Sequence, residues 1–334
     1  MNSEILSLTI AQAYKTYPFL DDFFLSCAIQ PPVKTDMRTF EQWLEDLEYF
    51  TLDEIGLDRD ELPGLLERFI IRMLERCSGE QLNVESITIM SGCDKDGNPE
   101  VPELTLKKGD VVSIVGATGS GKSRLLSDIE WLAQGDTPTK RRVLINGQIP
   151  PQSLRFSIDK KPVAQLSQTM NFVMDITVEK FLHIQCDSHM IKDKDKKAKE
   201  ILRAANLLSG EALKMDMPVT SLSGGQSRAL MIADTAYIST APIVVIDEIE
   251  NAGINRKNAI ELLLKAEKIV LMATHDPVLA LQADRRIVIK NGGIQRVIKT
   301  TDSERAVLAE LERMNEKIMQ CRERMRNGDL VESI

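Results

Sequence analysis

Gly116-Ala117-Thr118-Gly119-Ser120-Gly121-Lys122-Ser123 fits the phosphate-loop pattern G-x-x-x-x-G-K-[ST]. The glycines let backbone N–H groups turn inward as an anion nest, and a following helix adds its positive end. Lys122 is placed to reach β- and γ-phosphates, and the Ser123 hydroxyl suits Mg²⁺. A second group lies downstream. The apolar run Ile243-Val244-Val245-Ile246 ends in Asp247 and Glu248. Asp247 at the end of a strand is placed to hold Mg²⁺, directly or through water, and Glu248 to polarise an attacking water. The two groups together imply hydrolysis of a nucleoside triphosphate.

Between them stands Leu222-Ser223-Gly224-Gly225-Gln226, which resembles the signature of ATP-binding-cassette (ABC) ATPases. The resemblance covers about residues 83 to 298, and the ordered set of motifs makes it specific. It implies that Gln168, after Val163 to Ser167, is the Q-loop glutamine, contacting Mg²⁺ and sensing nucleotide state. It implies that His275, in Ala273-Thr274-His275-Asp276, is the switch histidine at the γ-phosphate. The implied catalytic set is Glu248, His275 and Gln168, and the implied metal set is Ser123, Gln168 and Asp247. ATP would lie on Gly116 to Ser123 of one copy, capped by Ser223, Gly224, Gly225 and Gln226 of a second. The expected cofactors are therefore ATP and Mg²⁺, shared across a nucleotide-dependent dimer with itself or a related ATPase.

The sequence departs from the family pattern at several points. No Phe, Tyr or Trp lies between Phe69 and Trp131, so the aromatic that stacks on adenine is missing, and Met90 or an apolar neighbour is the expected substitute. Asn255 stands where the D-loop carries aspartate, and Ile249 follows the catalytic glutamate. Ser227-Arg228-Ala229 alters the spacing of the arginine that follows the signature.

These residues need a scaffold, and the periodicities supply one. Ser86 to Met90, Leu104 to Leu106, Asp110 to Val115, Pro242 to Ile246, Lys268 to Met272 and Arg286 to Ile289 read as strands. Helices are expected at Lys122 to Leu132 and across much of residues 176 to 215. The strand–helix alternation implies an α/β core, and the resemblance implies that its fold class is a P-loop ABC cassette with a mixed-sheet core and a helical subdomain. Residues 1–80 read as a small all-α domain with helices after Thr9, from Phe19, from Phe40 to Tyr49 and from Leu62 to Cys77. The last of these has Leu65, Leu66, Phe69, Ile70 and Leu74 as its stripe. Residues 83–298 form the cassette. Residues 301–334 form a terminal helix, capped by Thr301 or Asp302 and stopped by Gly328, with a heptad seam through Val307, Leu311, Met314, Ile318, Cys321 and Met325. Lys140-Arg141-Arg142 reads as a hairpin turn.

Composition narrows the function. The 334 residues carry 42 basic and 50 acidic side chains, a net charge of −8 that argues against nucleic acid as a partner. No apolar run reaches the ~20 residues of a membrane span. Five scattered cysteines suit a reducing cytoplasm, the expected location. The leading expectation is clamp motion acting on a separate, soluble effector protein. The alternative is the ATP-binding subunit of an ABC membrane transporter whose membrane domain is on another chain.

Overall fold

A computed structural model of the protein describes residues 7–17, 19–27, 29–46, 61–77, 83–101, 103–156, 161–167, 172–189, 191, 193–248 and 254–330. The chain forms two compact units, Met1–Gln81 and Leu82–Ile334.

The first unit contains α1 (Ile10–Thr16), α2 (Leu20–Ser26), α3 (Phe40–Glu45) and α4 (Leu62–Cys77). Thr9 and Thr39 start α1 and α3 through reciprocal capping boxes with Gln12 and Gln42. Phe23, Phe24, Phe40 and Trp43 make tilted and edge-on ring contacts that form the core. Helix α4 buries Leu62, Leu66, Ile70 and Met73, whereas Leu74 of the expected stripe is exposed. One residue of displacement turns a helix position by about 100°, so Met73 takes the inward place. The expected end of α3 at Tyr49 lies outside the described residues.

The second unit is built on a six-stranded sheet ordered β5-β6-β7-β3-β8-β9, with a three-stranded antiparallel sheet ordered β2-β1-β4. The strands are β1 (Ser86–Met90), β2 (Glu103–Lys107), β3 (Val111–Val115), β4 (Arg142–Ile145), β5 (Val163–Leu166), β6 (Ile243–Asp247), β7 (Ile269–Ala273), β8 (Arg285–Lys290) and β9 (Gly293–Lys299). The six-stranded sheet is parallel except where β9 turns back on β8. Central strands β3, β6 and β7 are apolar runs because both faces are covered. Ile243 and Val245 of β6 pack toward the antiparallel sheet and α5 (Lys122–Glu130). Val244 and Ile246 face the opposite layer, with α9 (Gly224–Tyr237), α10 (Arg256–Lys265) and α11 (Pro277–Gln282). The short helix α6 spans Gln152–Arg155. A helical layer of α7 (Val178–Ser188), α8 (Lys194–Leu208) and α9 has its own core around Phe181, Leu182, Ile201 and Leu230.

Several elements differ from the sequence expectation, which does not include helices α6, α10 and α11. Strands β5 and β9 are not evident from periodicity, since β5 is only four residues long at the sheet's edge. Lys140 does turn, with φ 56°, but Arg141 is completely buried against Glu100 and Asp128 rather than exposed in a hairpin.

The last helix, α12 (Asp302–Arg326), starts at Thr301, whose Oγ1 accepts the Glu304 N–H at 3.3 Å. It stops at Gly328, φ 84°, with the Gly328 and Asp329 N–H groups returning to Met325 O and Arg324 O. Leu308, Leu311 and Glu312 are half-buried, while Val307, Met314, Ile318 and Met325 of the expected seam are exposed.

Within the helical layer, Asp234 of α9 is buried, its Oδ1 has no hydrogen-bond partner, and burial pushes its carboxyl up to about 7. Its neighbour Cys186 is raised as well, first by burial and then by the Asp234 charge. The unfolded carboxyl ionises near 3.8, so the fold favours the neutral acid. Its stabilising contribution is complete below pH ~3.8 and is lost as pH rises through ~7. Asp234→Asn, neutral at every pH, is expected to melt on the order of 5 °C above the parent at pH 8. That advantage should vanish toward pH 4. Melting curves at both pH values check this, and an equal difference at both would contradict it.

Candidate active site

The site is assembled at the carboxyl ends of β3, β6 and β7, which are adjacent in the sheet. The phosphate loop leaves β3 at Gly116, where a Cβ would lie 2.4 Å from Ile289 O and 2.6 Å from Ser120 Oγ. Only glycine fits there. Gly119 (φ 75°) and Gly121 (φ 109°) adopt left-handed conformations that curl the loop around its own N–H groups. Lys122 opens α5 and is buried, with its ammonium folded back across the loop. Nζ donates to Gly116 O at 3.0 Å and Ala117 O at 3.3 Å, and lies 3.0 Å from His275 Nε2.

Asp247 is the last residue of β6, and its Oδ2 accepts the Ser123 hydroxyl at 3.1 Å. A hydroxyl and a carboxylate held this close are the hard oxygen donors that Mg²⁺ takes alongside phosphate oxygens. The residues present therefore fit that ion. Glu248 follows with φ 51°, unusual for a side chain with a Cβ. Its N–H donates to Ala273 O at 3.0 Å, and Oε1 lies 3.9 Å from His275 Nε2. His275 sits two residues past β7, on a segment held by an ion pair between Asp276 and Arg256.

Lys122, Ser123, Asp247, Glu248 and His275 thus converge on one rim, although they span 153 residues between Lys122 and His275. Gln168 lies outside the described residues, as do Ile249 to Gly253. Ser223 caps α9 in a box with Gln226, whose side chain also donates to Ala212 O. Ser223 and Gly224 are exposed, so the positive end of α9 is open to an approaching molecule.

Arg228 is a functional candidate that sequence reasoning missed. It is buried, and NH1 donates to Glu248 O at 3.2 Å, tying the signature helix to the glutamate's backbone. Its altered spacing after Gln226 was the one available signal. Asn255 caps α10, its Oδ1 accepting the Asn258 N–H at 3.1 Å. Met90 is half-buried in β1, paired with Glu103 and Arg142. The residue of this segment that reaches the phosphate loop is Lys95, whose Nζ lies 3.3 Å from Gly119 O.

The family model described as ABC transporter matches residues 100–251. An uncharacterised ABC transporter ATP-binding protein of Methanocaldococcus jannaschii is 51% identical over 249 residues, 74% of this chain and 95% of that protein. The chain belongs to the ABC transporter family. It is an ATP-binding ABC ATPase, and the α/β architecture is that of the ABC cassette. A solved ATP-binding subunit of an ABC transporter shares the fold at 18% identity, with a TM-score of 0.50, over 66% of this chain and 92% of that one. The macrolide export ATP-binding/permease protein MacB of Shewanella sp. is 29% identical over 64% of this ABC ATPase, which spans about a third of MacB's length. These relatives are transporter ATP-binding proteins or carry permeases, so the expectation of a soluble effector finds no support and the transporter alternative does. No helix among the described residues is long and apolar enough to cross a membrane. The M. jannaschii protein is aligned almost end to end, so it has no counterpart to the quarter of this chain left over.

Proposed function

We propose that the protein is the ATP-binding subunit of an ABC transporter, working at the cytoplasmic face with a membrane domain on another chain. The observation that carries this reading is the M. jannaschii relative, named an ABC transporter ATP-binding protein and matched over 95% of its length. The rim of Lys122, Ser123, Asp247, Glu248 and His275 supplies the chemistry.

ATP phosphates occupy the nest of Gly116 to Ser123, and Lys122 exchanges its carbonyl partners for phosphate oxygens. Ser123, Asp247 and Gln168 would hold Mg²⁺, which would offset phosphate charge. Glu248 orients and polarises the attacking water, and His275 contacts the γ-phosphate while holding the glutamate in register. Ser223 and Gly225 of a second copy, or of a related ATPase, close the site with the positive end of α9. Closing and reopening this sandwich moves the coupled membrane chain.

The test uses Glu248→Gln, trapped with ATP, as bait in detergent-solubilised membranes. Recovery of an integral membrane permease is expected. Recovery of soluble proteins alone would overturn the transporter reading and leave the ATPase assignment standing.

A further inference from the structure

The phosphate loop is held from behind by a turn on the side away from the nest. Asn291 (φ 51°) and Gly292 (φ 85°) connect β8 to β9 as a two-residue hairpin turn. The Gly292 N–H donates to Ser120 O at 2.7 Å. In a trans peptide the C=O and the next N–H point in opposite directions. Drawing the Ser120 carbonyl toward Gly292 therefore aims the Gly121 N–H the other way, into the nest. Gly121 and Gly292 meet backbone to backbone, since a Cβ on Gly121 would lie 2.8 Å from the Gly292 Cα.

The same glycine is held on its other side. Gly292 O accepts from Arg141 NH2 at 2.7 Å. Arg141 is completely buried, with NH1 2.8 Å from Asp128 Oδ2 and Nε 3.2 Å from Glu100 Oε2. Asp128 lies on α5, the helix that begins at Lys122. Glu100 Oε2 also accepts the Ile294 N–H, just past the turn, at 3.1 Å. One guanidinium therefore joins the helix that leaves the phosphate loop to the turn that presses on it. Two carboxylates and one guanidinium make a buried cluster, and such clusters are poor sources of stability compared with apolar packing. What this one supplies is a fixed distance between α5 and the turn.

We propose that Arg141 is a positioning residue for nucleotide binding, acting through Gly292 on the Ser120–Gly121 peptide of the phosphate loop. The proposal rests on the reading of Gly116 to Ser123 as the ATP site. It predicts that loss of Arg141 weakens the nest before it affects the chemistry, because Arg141 and the turn act on the phosphate loop and α5, whereas Glu248 and His275 are positioned by the ends of β6 and β7.

The test is a triple variant of the full chain, Arg141→Met with Glu100→Gln and Asp128→Asn, which leaves no buried charge unpaired. Its Kd and KM for ATP are expected to rise by about tenfold or more, with kcat at saturating ATP within about threefold and melting near that of the parent. Unchanged Kd and KM in the folded variant would overturn the proposal. So would kcat and KM worsening together with the melting temperature, the mark of a merely structural role. Arg141→Lys, which keeps the charge but cannot span all three partners, should show the same KM shift to a smaller degree. If neither variant folds, hydrogen exchange on the parent decides, because the Gly292 amide must be protected without nucleotide and fast exchange there would sink the idea. Lys122→Ala, measured alongside, separates the two levels: normal ATP affinity in that variant would refute the site reading itself.

Discussion

Lys122→Ala is expected to abolish ATP binding at millimolar nucleotide, a loss of at least about 100-fold in affinity, or roughly 3 kcal/mol. The ammonium is the one cation among the described residues that reaches across the loop to Gly116 O, Ala117 O and His275 Nε2. All three partners are groups that water can serve, so its removal leaves no buried charge unpaired. The loss should therefore fall on binding, with the melting temperature of the free protein within a few degrees of the parent. Isothermal titration with Mg-ATP, beside a melting curve, measures both. Affinity within about threefold of the parent would refute the assignment of the phosphate loop.

Glu248→Gln has the opposite signature. The amide keeps the shape of the side chain and its reach toward His275 but cannot polarise water as a carboxylate does. General-base contributions of 10²–10⁴ set the expected fall in kcat at about 1,000-fold. The strained backbone at φ 51° should persist, because both bonds that hold it are made to the main chain of Glu248: its N–H donates to Ala273 O, and its carbonyl accepts from the Arg228 guanidinium. ATP binding should survive while hydrolysis stalls, so a doubled mass is expected by light scattering with ATP and the single-chain mass with ADP. A monomer at saturating ATP would contradict catalysis shared between two copies.

The parts legible in the sequence were those whose chemistry is local. Gly116 to Ser123 and Leu222 to Gln226 are contiguous because a nest and a helix N-terminus are built from consecutive backbone N–H groups. The buried strands β3, β6 and β7 declared themselves by apolar runs, broken only by the buried Ser113 of β3 and the terminal Asp247 of β6. What could not be read was pairing at a distance. Arg141 looked like part of a surface turn because its partners Glu100, Asp128 and Gly292 are 41, 13 and 151 residues away. Arg228 meets a carbonyl 20 residues on, a contact that no side-chain pattern encodes. Met73 displacing Leu74 is a different failure, since two adjacent apolar residues leave a helical stripe undetermined by a third of a turn.

The sheet order also sets a timetable. Strand β3 ends at Val115, yet its two neighbours, β7 and β8, begin only at Ile269 and Arg285. The glycine that braces the phosphate loop comes at 292. A ribosome therefore finishes the loop some 170 residues before its walls exist, and at roughly 5–20 residues per second that interval lasts on the order of ten to thirty seconds. During that time the chain holds a nucleotide motif without a nucleotide site, and the apolar faces of β3 need cover from chaperones or from the antiparallel strands already made. ATP can join only a nearly complete polypeptide. Nascent chains halted before residue 290 should accordingly fail to retain ATP, whereas those carried past β9 should bind it.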